Sequence, residues 1–254
     1  MTDVTPWVRT ERRGHVLVIA IDREAKRNAI DRAVADQLSA ALDALDDDEG
    51  LWVGVLTGTS SVFSAGSDLT AGGDYVTERG GEYGIIRRRR VKPLIAAVEG
   101  PALGGGLEIV LACDLVVAGS TATFGLPEVR RGLVATCAGL FRGPGALPLN
   151  LARELALTGD PFDAGRAHAA GLVNRVTEAG GALEAALELA QRICLNAPVA
   201  VQASLAAIAD AQSAGDDRGW AATEAAKDRI AGSADAGEGI AAFLERRTPN
   251  WSGR

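Results

Sequence analysis

Gly100-Pro101-Ala102-Leu103-Gly104-Gly105-Gly106-Leu107-Glu108-Ile109-Val110-Leu111-Ala112-Cys113 is the most informative stretch of the chain. Three consecutive glycines open an apolar run. Glycine is a poor helix former, so three at a helix start make sense where backbone must touch a ligand. The free N–H groups and positive dipole end of such a start favour an anion or a developing oxyanion. The G-x-G-x-x-G spacing is absent and no G-K-[ST] follows, which excludes a dinucleotide fingerprint and a P-loop. Glu108 stands alone among apolar neighbours. A buried carboxylate is costly without a partner, and burial raises its pKa. Acid/base carboxylates are tuned in this way. The competing reading is a partly exposed helix position or a structural hydrogen bond.

Outward from this stretch, Leu94 to Val98 reads as a buried strand after Lys92-Pro93. Leu115 to Ala118 and Ala122 to Phe124 read as short strands. Phe124-Gly125-Leu126-Pro127-Glu128-Val129 follows, a Pro turn carrying a second carboxylate. Glu108 and Glu128 brought to one glycine-rich helix start would form an acid/base pair. Upstream, Ser64-Ala65-Gly66-Ser67-Asp68-Leu69 is a loop of small residues. Its backbone N–H groups can point at an oxygen without obstruction, or it is an ordinary turn. Asp114 reads as a helix-terminating or hydrogen-bonded residue. His15 and His168 read as surface or packed histidines.

His15 to Ile21 predicts a strand, and Asp31 caps a helix running to about Leu45, with Val34, Leu38, Ala41, Leu42 and Leu45 at helical spacing. Leu51 to Leu56 predicts the next strand. A helix is expected over Ile85-Ile86 and Arg87 to Arg90, whose charge run reads as a solvated face rather than a nucleic-acid patch. Beyond Pro148 the chain turns helical and alanine-rich, apart from a strand at Leu172 to Val176. The alternation predicts an α/β core over residues 1–195 and a helical region over 196–254. Ala221 to Arg247 is amphipathic but poor in large apolar residues. Such a face packs on a partner subunit or on its own chain.

Composition bounds the class. The 254 residues are 47% hydrophobic and 23% charged, with Lys+Arg 26 against Asp+Glu 33 and a net charge of −7. That is globular, which excludes disordered and collagen-like chains. The acidic balance argues against a general nucleic-acid binder. The three cysteines, Cys113, Cys137 and Cys194, form neither a disulfide framework nor a zinc site, and a reducing cytoplasm fits them. No signal peptide or membrane span is expected. Glycine is abundant at 31 residues and aromatics are only 4%, so glycines are expected where backbone comes close to something.

Taken together, the motifs resemble the crotonase (enoyl-CoA hydratase/isomerase) superfamily over nearly the whole chain. The matching segments are Arg27-Asn28-Ala29, Phe63 to Leu69, Lys92 to Gly100 running into Ala102 to Glu108, and Cys113-Asp114. Phe124 to Gly132, Leu157-Thr158-Gly159-Asp160, Ala170 to Asn174 and Phe243 to Arg247 complete the set. The resemblance implies a spiral of ββα units with a helical C-terminal trimerisation region. It implies an acyl-CoA thioester as substrate, a homotrimer or a hexamer of two trimers, and a place in fatty-acid metabolism. No metal and no tightly bound cofactor are implied; coenzyme A is part of the substrate. The backbone N–H groups at Ser67 and Gly105 match the family's oxyanion hole, and Glu108 and Glu128 match its catalytic glutamates. Glu108 would hold and activate water at the β-carbon, and Glu128 would exchange the proton at the α-carbon. Enoyl-CoA hydration is the expected reaction. The alternatives are double-bond isomerisation, a carnitinyl-CoA dehydratase- or racemase-like reaction, and an acyl-CoA binder without turnover. A serine hydrolase using Ser64 or Ser67 is disfavoured because no G-x-S-x-G elbow exists.

Lys26, Arg27 and Arg246 are candidates for the CoA phosphates, since arginine suits phosphate bidentately; surface charge is the competing reading. Ala65, Asp68, Leu69 and Gly104 complete the expected substrate contacts. One departure stands out. Where hydratases of the family continue with a Pro-Gly-Ala-Gly-Gly-Thr-Gln-like run, this chain has Val134-Ala135-Thr136-Cys137-Ala138-Gly139-Leu140-Phe141. Thr136 takes the place of a glycine that helps position water. A branched or functionalised acyl group is one consequence considered.

Overall fold

The computed structural model describes residues 6–71, 75–213 and 215–252. In chain order the strands are β1 (Val8–Arg13), β2 (Val16–Ile21), β3 (Val53–Thr57), β4 (Val76–Thr77), β5 (Gly81–Glu82), β6 (Leu94–Val98), β7 (Pro101–Leu103), β8 (Leu115–Gly119), β9 (Thr123–Gly125), β10 (Phe162–Asp163) and β11 (Arg175–Thr177). The helices are α1 (Arg32–Asp47), α2 (Gly105–Leu111), α3 (Gly139–Ala146), α4 (Leu149–Thr158), α5 (Ala164–Ala169), α6 (Ala182–Cys194), α7 (Pro198–Ser213), α8 (Asp216–Ala231) and α9 (Ala234–Glu245).

Six strands form one sheet in the order β1-β2-β3-β6-β8-β11. β1 is antiparallel to β2, and every other pairing in the sheet is parallel. Parallel strands are covered on both faces, so they read as continuous apolar runs with alternate side chains going to opposite sides. Leu17, Ile19, Leu56, Leu94, Ala96 and Val98 pack in the same cluster as the buried stripe of α1. Val16, Val18, Val53, Val55, Ile95 and Ala97 face the other way, under Ala182, Ala186, Leu187 and Ala190 of α6. The α1 stripe is Val34, Ala35, Leu38, Ala41, Leu42 and Leu45, and its N-cap is Asp31, which accepts from the Val34 N–H at 2.9 Å.

The chain winds as a spiral. β6 turns into β7 and then α2; β8 turns into β9 and then a 3₁₀ turn, Pro127–Arg131. β7 and β9 belong to a smaller sheet ordered β10-β9-β7. After β3, Ser64 bridges Ala102 in parallel and so repeats the same corner. Each corner ends on one side of the molecule. That is where the glycine-rich loops meet.

The helix expected over Ile85 to Arg90 does not form. Gly81, Tyr83 and Gly84 have φ of 64°, 56° and 79°, which a right-handed helix cannot accommodate. A Cβ on Gly84 would lie 2.5 Å from the Ala35 carbonyl oxygen. The close approach fixes this segment as turns against α1. The arginine run is a solvated face only in part: Arg87 and Arg89 are exposed, while Arg88 and Arg90 turn inward. Arg88 is buried, donating to Asp43 at 2.7 Å, to Asp46 at 3.2 Å and to the Ser39 carbonyl at 3.1 Å. Arg90 donates to Asp114 Oδ1 at 2.9 Å and to the Ala112 carbonyl at 2.7 Å. Arg87 stacks on Trp220, with its guanidinium carbon 3.6 Å from the ring centroid. The strand expected at Leu172 to Val176 is β11, shifted to Arg175–Thr177. Leu172 and Val173 are instead buried in the loop after α5. Their N–H groups donate to the Ala167 carbonyl, so they finish a helix rather than begin a strand.

α7, α8 and α9 make the helical C-terminal region. α9 packs on the 3₁₀ turn so closely that a Cβ on Gly239 would lie 2.1 Å from the Arg131 carbonyl oxygen. Trp220 of α8 meets Phe141 of α3 edge-on, 5.1 Å between centroids. Among the described residues no single helix is long and apolar enough to cross a membrane.

Candidate active site

Two loops and two carboxylates meet at the start of α2. Asn28 seats the first loop. It is fully buried in a left-handed backbone (φ 53°) and donates from Nδ2 to the carbonyls of Val62 and Phe63 at 2.9 and 3.2 Å. Ser64 Oγ donates back to the Asn28 carbonyl at 2.8 Å. Ala65 donates to the Arg27 carbonyl, and Ile30 bridges the loop through Gly66 O and Asp68 N. The bridge engages the residues either side of Ser67 and not the Ser67 N–H itself. Asp68 is buried, with an ion pair to Arg23 at 2.8 Å and hydrogen bonds from Thr70. Burial works to raise its carboxyl, but the bonds from Thr70 and Arg23 outweigh it and hold the group at about 2. Asp68 thus ties the loop to Arg23. Ala65 and Leu69 are partly buried beside it.

The glycines of the second loop have three separate reasons. Gly104 has φ 57°, a left-handed position suited to glycine. A Cβ on Gly105 would meet the Tyr83 hydroxyl at 2.5 Å, and one on Gly106 would meet the Ser64 carbonyl at 2.2 Å. The two loops touch: a Cβ on Gly66 (φ 84°) would lie 2.7 Å from the Gly105 nitrogen. Gly105 is the first residue of α2, where N–H groups have no intrahelical acceptor. Among the described residues, no protein group accepts from the Ser67 or Gly105 N–H. Two adjacent backbone donors are therefore free on one side of the spiral.

Glu108 lies one turn further along α2 and is 2% exposed. Its Oε1 accepts from the N–H groups of Cys137 and Gly139 at 2.7 and 2.9 Å. Burial, reinforced by the nearby Glu128 charge, raises the carboxyl to about 8 against the pull of those two donors. Glu128 enters from the 3₁₀ turn, with Oε1 3.1 Å from where a Cβ on Gly104 would stand. Its Oε2 is buried with no hydrogen-bond partner among the described residues. Burial raises this carboxyl to about 7, while its own backbone N–H and Arg131 draw it down. Small apolar side chains of Leu126, Val129, Val134, Ala135, Leu140 and Ala156 line a pocket with it. One loop touches both glutamates, at the backbone of Glu128 and at the carboxylate of Glu108. Leu133 N–H donates to the Glu128 carbonyl, and four residues later Cys137 N–H reaches Glu108. Thr136 is half-buried in that loop, its Oγ1 3.8 Å from Cys137 Sγ.

The other candidates lie outside this junction. Lys26, Arg27 and Arg246 are exposed. Arg131 was not foreseen: burial lowers its pKa, the Arg27 and Arg130 charges lower it further, and Glu128 raises it. Arg27 is therefore within electrostatic reach of the Glu128 turn. His15 stacks on Trp52 and His168 bonds to the Val173 carbonyl. No group of three or more His, Cys, Asp or Glu among the described residues is arranged to hold a metal. Asn28 was visible only as part of Arg27-Asn28-Ala29. Tyr83 carried no motif; its mark in the sequence is a place between Gly80-Gly81 and Gly84, as one of two tyrosines in the chain.

Free backbone donors beside two carboxylates of raised pKa can stabilise an enolate-like oxygen while a proton is added or removed next to it. Residues 11–254 match the enoyl-CoA hydratase/isomerase family. A mevalonyl-coenzyme A hydratase of Aspergillus fumigatus is 37% identical over 254 residues, covering 93% of this chain and 91% of the other. An enoyl-CoA hydratase of Mycobacterium tuberculosis is 38% identical over 261 residues, covering 98% and 97%. The crystal structure of a carnitinyl-CoA hydratase from Mycobacterium avium superposes with a TM-score of 0.93 at 42% identity, covering 98% of this chain and 99% of that one.

Proposed function

The chain belongs to the enoyl-CoA hydratase/isomerase family, and from that premise we propose that it is a lyase adding water reversibly to a 2-enoyl-CoA thioester. The observation that carries this reading is the convergence of Glu108 and Glu128 on one glycine-rich helix start. A double-bond shift needs one group to move a proton; adding water needs two sites of proton transfer. The chain keeps both carboxylates.

In the proposed reaction the thioester oxygen accepts from the N–H groups of Ser67 and Gly105. Water attacks the β-carbon and gives its proton to Glu108, whose orientation the Cys137 and Gly139 N–H groups fix. The α-carbon takes a proton from Glu128. The product gains one water, and the carboxylate pair ends with the one proton it began with, moved from Glu128 to Glu108. Burial raises both carboxyls and the Glu128 charge raises Glu108 further, so the two titrate as a pair. Dehydration runs the same path backwards.

The names of the relatives share acyl-CoA hydration and differ in acyl group. Thr136, standing where hydratases of the family carry a glycine, supports a reading in which this chain also takes a particular, branched or functionalised acyl group. Lys26, Arg27 and Arg246 are proposed for the CoA phosphates. A trimer, or a hexamer of two trimers, is proposed on the helical region. Val199 and Ile208 there are 76% and 59% exposed, which suits burial against another subunit. Its three unpaired cysteines suit a reducing cytoplasm.

The test is a panel of 2-enoyl-CoA thioesters, followed by loss of enoyl absorbance and by mass. Gain of one water is expected for at least one member. A double bond moved without mass change would replace this reading with isomerisation, and binding without turnover would replace it with a carrier.

A further inference from the structure

Tyr83 is absent from the chemistry so far, yet its hydroxyl sits where every part of the site meets. It lies 2.7 Å from Ser67 Oγ on the first loop. It stands 2.5 Å from where a Cβ on Gly105 would be, so it covers the start of α2. It also lies within electrostatic reach of the Cys137 thiol, and the N–H of that residue holds Glu108. The ring is 3% exposed, and the residue has φ 56°, a strained backbone for an aromatic side chain. Strain of this kind persists where surrounding structure over-determines it. Here Gly84, pressed against α1, leaves the chain no slack. Burial, with the Cys137 and Glu108 charges adding to it, pushes the phenol well above its ordinary value, so it stays a neutral hydroxyl.

We propose that Tyr83 is a positioning residue, whose hydroxyl braces the two backbone-donor loops against each other and against the loop that seats Glu108. The proposal rests on the hydratase reading for its kinetic test and on geometry for the rest. Ser67 and Gly105 present their N–H groups from two different spiral corners, which the Ser64–Ala102 bridge joins by backbone hydrogen bonds and which meet beyond it by close contact. The phenol oxygen is a common neighbour of both and of Cys137. Removing it frees Ser67 Oγ and opens a gap above Gly105. The donors then lose their set spacing, and the thioester oxygen is held less well in the enolate-like state than before.

Tyr83→Phe, Ser67→Ala (which keeps the backbone N–H) and the double variant separate positioning from a structural role. With crotonyl-CoA, Tyr83→Phe is expected to lower kcat about tenfold or more with KM changed less than about threefold, because misplacement acts on the transition state. The double variant is expected to be no slower than the slower single one, since both remove the same contact. An infrared reading of the bound thioester carbonyl needs no turnover. Carbonyl-labelled crotonyl-CoA should shift to lower frequency on the parent protein and shift less on Tyr83→Phe. A kcat within twofold of the parent, multiplicative losses in the double variant, or an unchanged carbonyl shift would overturn the proposal. A parent protein that binds and polarises crotonyl-CoA but hydrates no member of the enoyl-CoA panel would defeat the hydratase reading instead, and the carbonyl shift would still decide the role of Tyr83.

Discussion

Glu108 and Glu128 are the same residue type at the same junction, and the protein seats them in opposite ways. Glu108 stands on a helix and is gripped through one oxygen by two backbone donors, 2.7 and 2.9 Å away. Glu128 stands on a short 3₁₀ turn with a buried oxygen that no group among the described residues satisfies. Buried polar atoms are nearly always paired, so the unpaired one is the better candidate for contact with a substrate. The gripped carboxylate suits a base that must hold water at a fixed angle. The open one suits an acid that hands a proton to carbon and takes it back.

The contrast can be broken at several points. The largest effect is expected from Glu108→Gln and Glu128→Gln, each lowering kcat for enoyl-CoA hydration by about 10²–10⁴-fold. If the two seats differ as described, Glu108→Gln keeps its backbone donors and folds as the parent does. Next is Gly66→Ala, whose methyl would lie 2.7 Å from the Gly105 nitrogen. Separating the two donors in this way is expected to cost roughly 10²-fold in kcat, while an unchanged rate would detach the loops from catalysis.

Stability gives a third test. Burial raises the Glu108 carboxyl from 4.5 to about 8, so between those values the folded state binds more protons than the unfolded one. Stability therefore falls as pH rises through that window. Glu108→Gln stays neutral and escapes the loss. Denaturant titration should find the variant more stable than the parent by roughly 2–4 kcal/mol near pH 9, with the advantage gone near pH 4. The smallest effect concerns Arg131, which draws the Glu128 carboxyl down. The hydration rate of the parent should follow a bell in pH, with limbs near about 7 and about 8 that belong to the pair. Arg131→Ala should move the acidic limb upward by a fraction of a unit, and a downward move would contradict the electrostatic picture.

Local patterns carried much of the fold. The α1 cap and stripe, the buried strands and the glycine-rich helix start are consequences of short-range chemistry, and they stand where the sequence places them. The segment from Ile85 to Arg90 was misread because its cause is distant. Its apolar pair and arginines look helical, but Gly84 must fit under Ala35, and Arg88 answers to Asp43 and Asp46 on α1. At the site, side-chain motifs singled out Glu108 and Glu128. The grip on Glu108 was invisible because it comes from the N–H groups of Cys137 and Gly139, which any non-proline residue would supply. Tyr83 was invisible for a related reason: its neighbours are brought to it by three separate loops.

The most direct measurement is crotonyl-CoA hydration by the parent, the two single glutamine variants and the double variant under one set of conditions. If the two carboxylates share one proton and act as a unit, each single variant loses at least about 10²-fold, and the double loses little beyond the worse single. Hydration at the parent rate by either single variant, or losses that multiply in the double, would contradict the account.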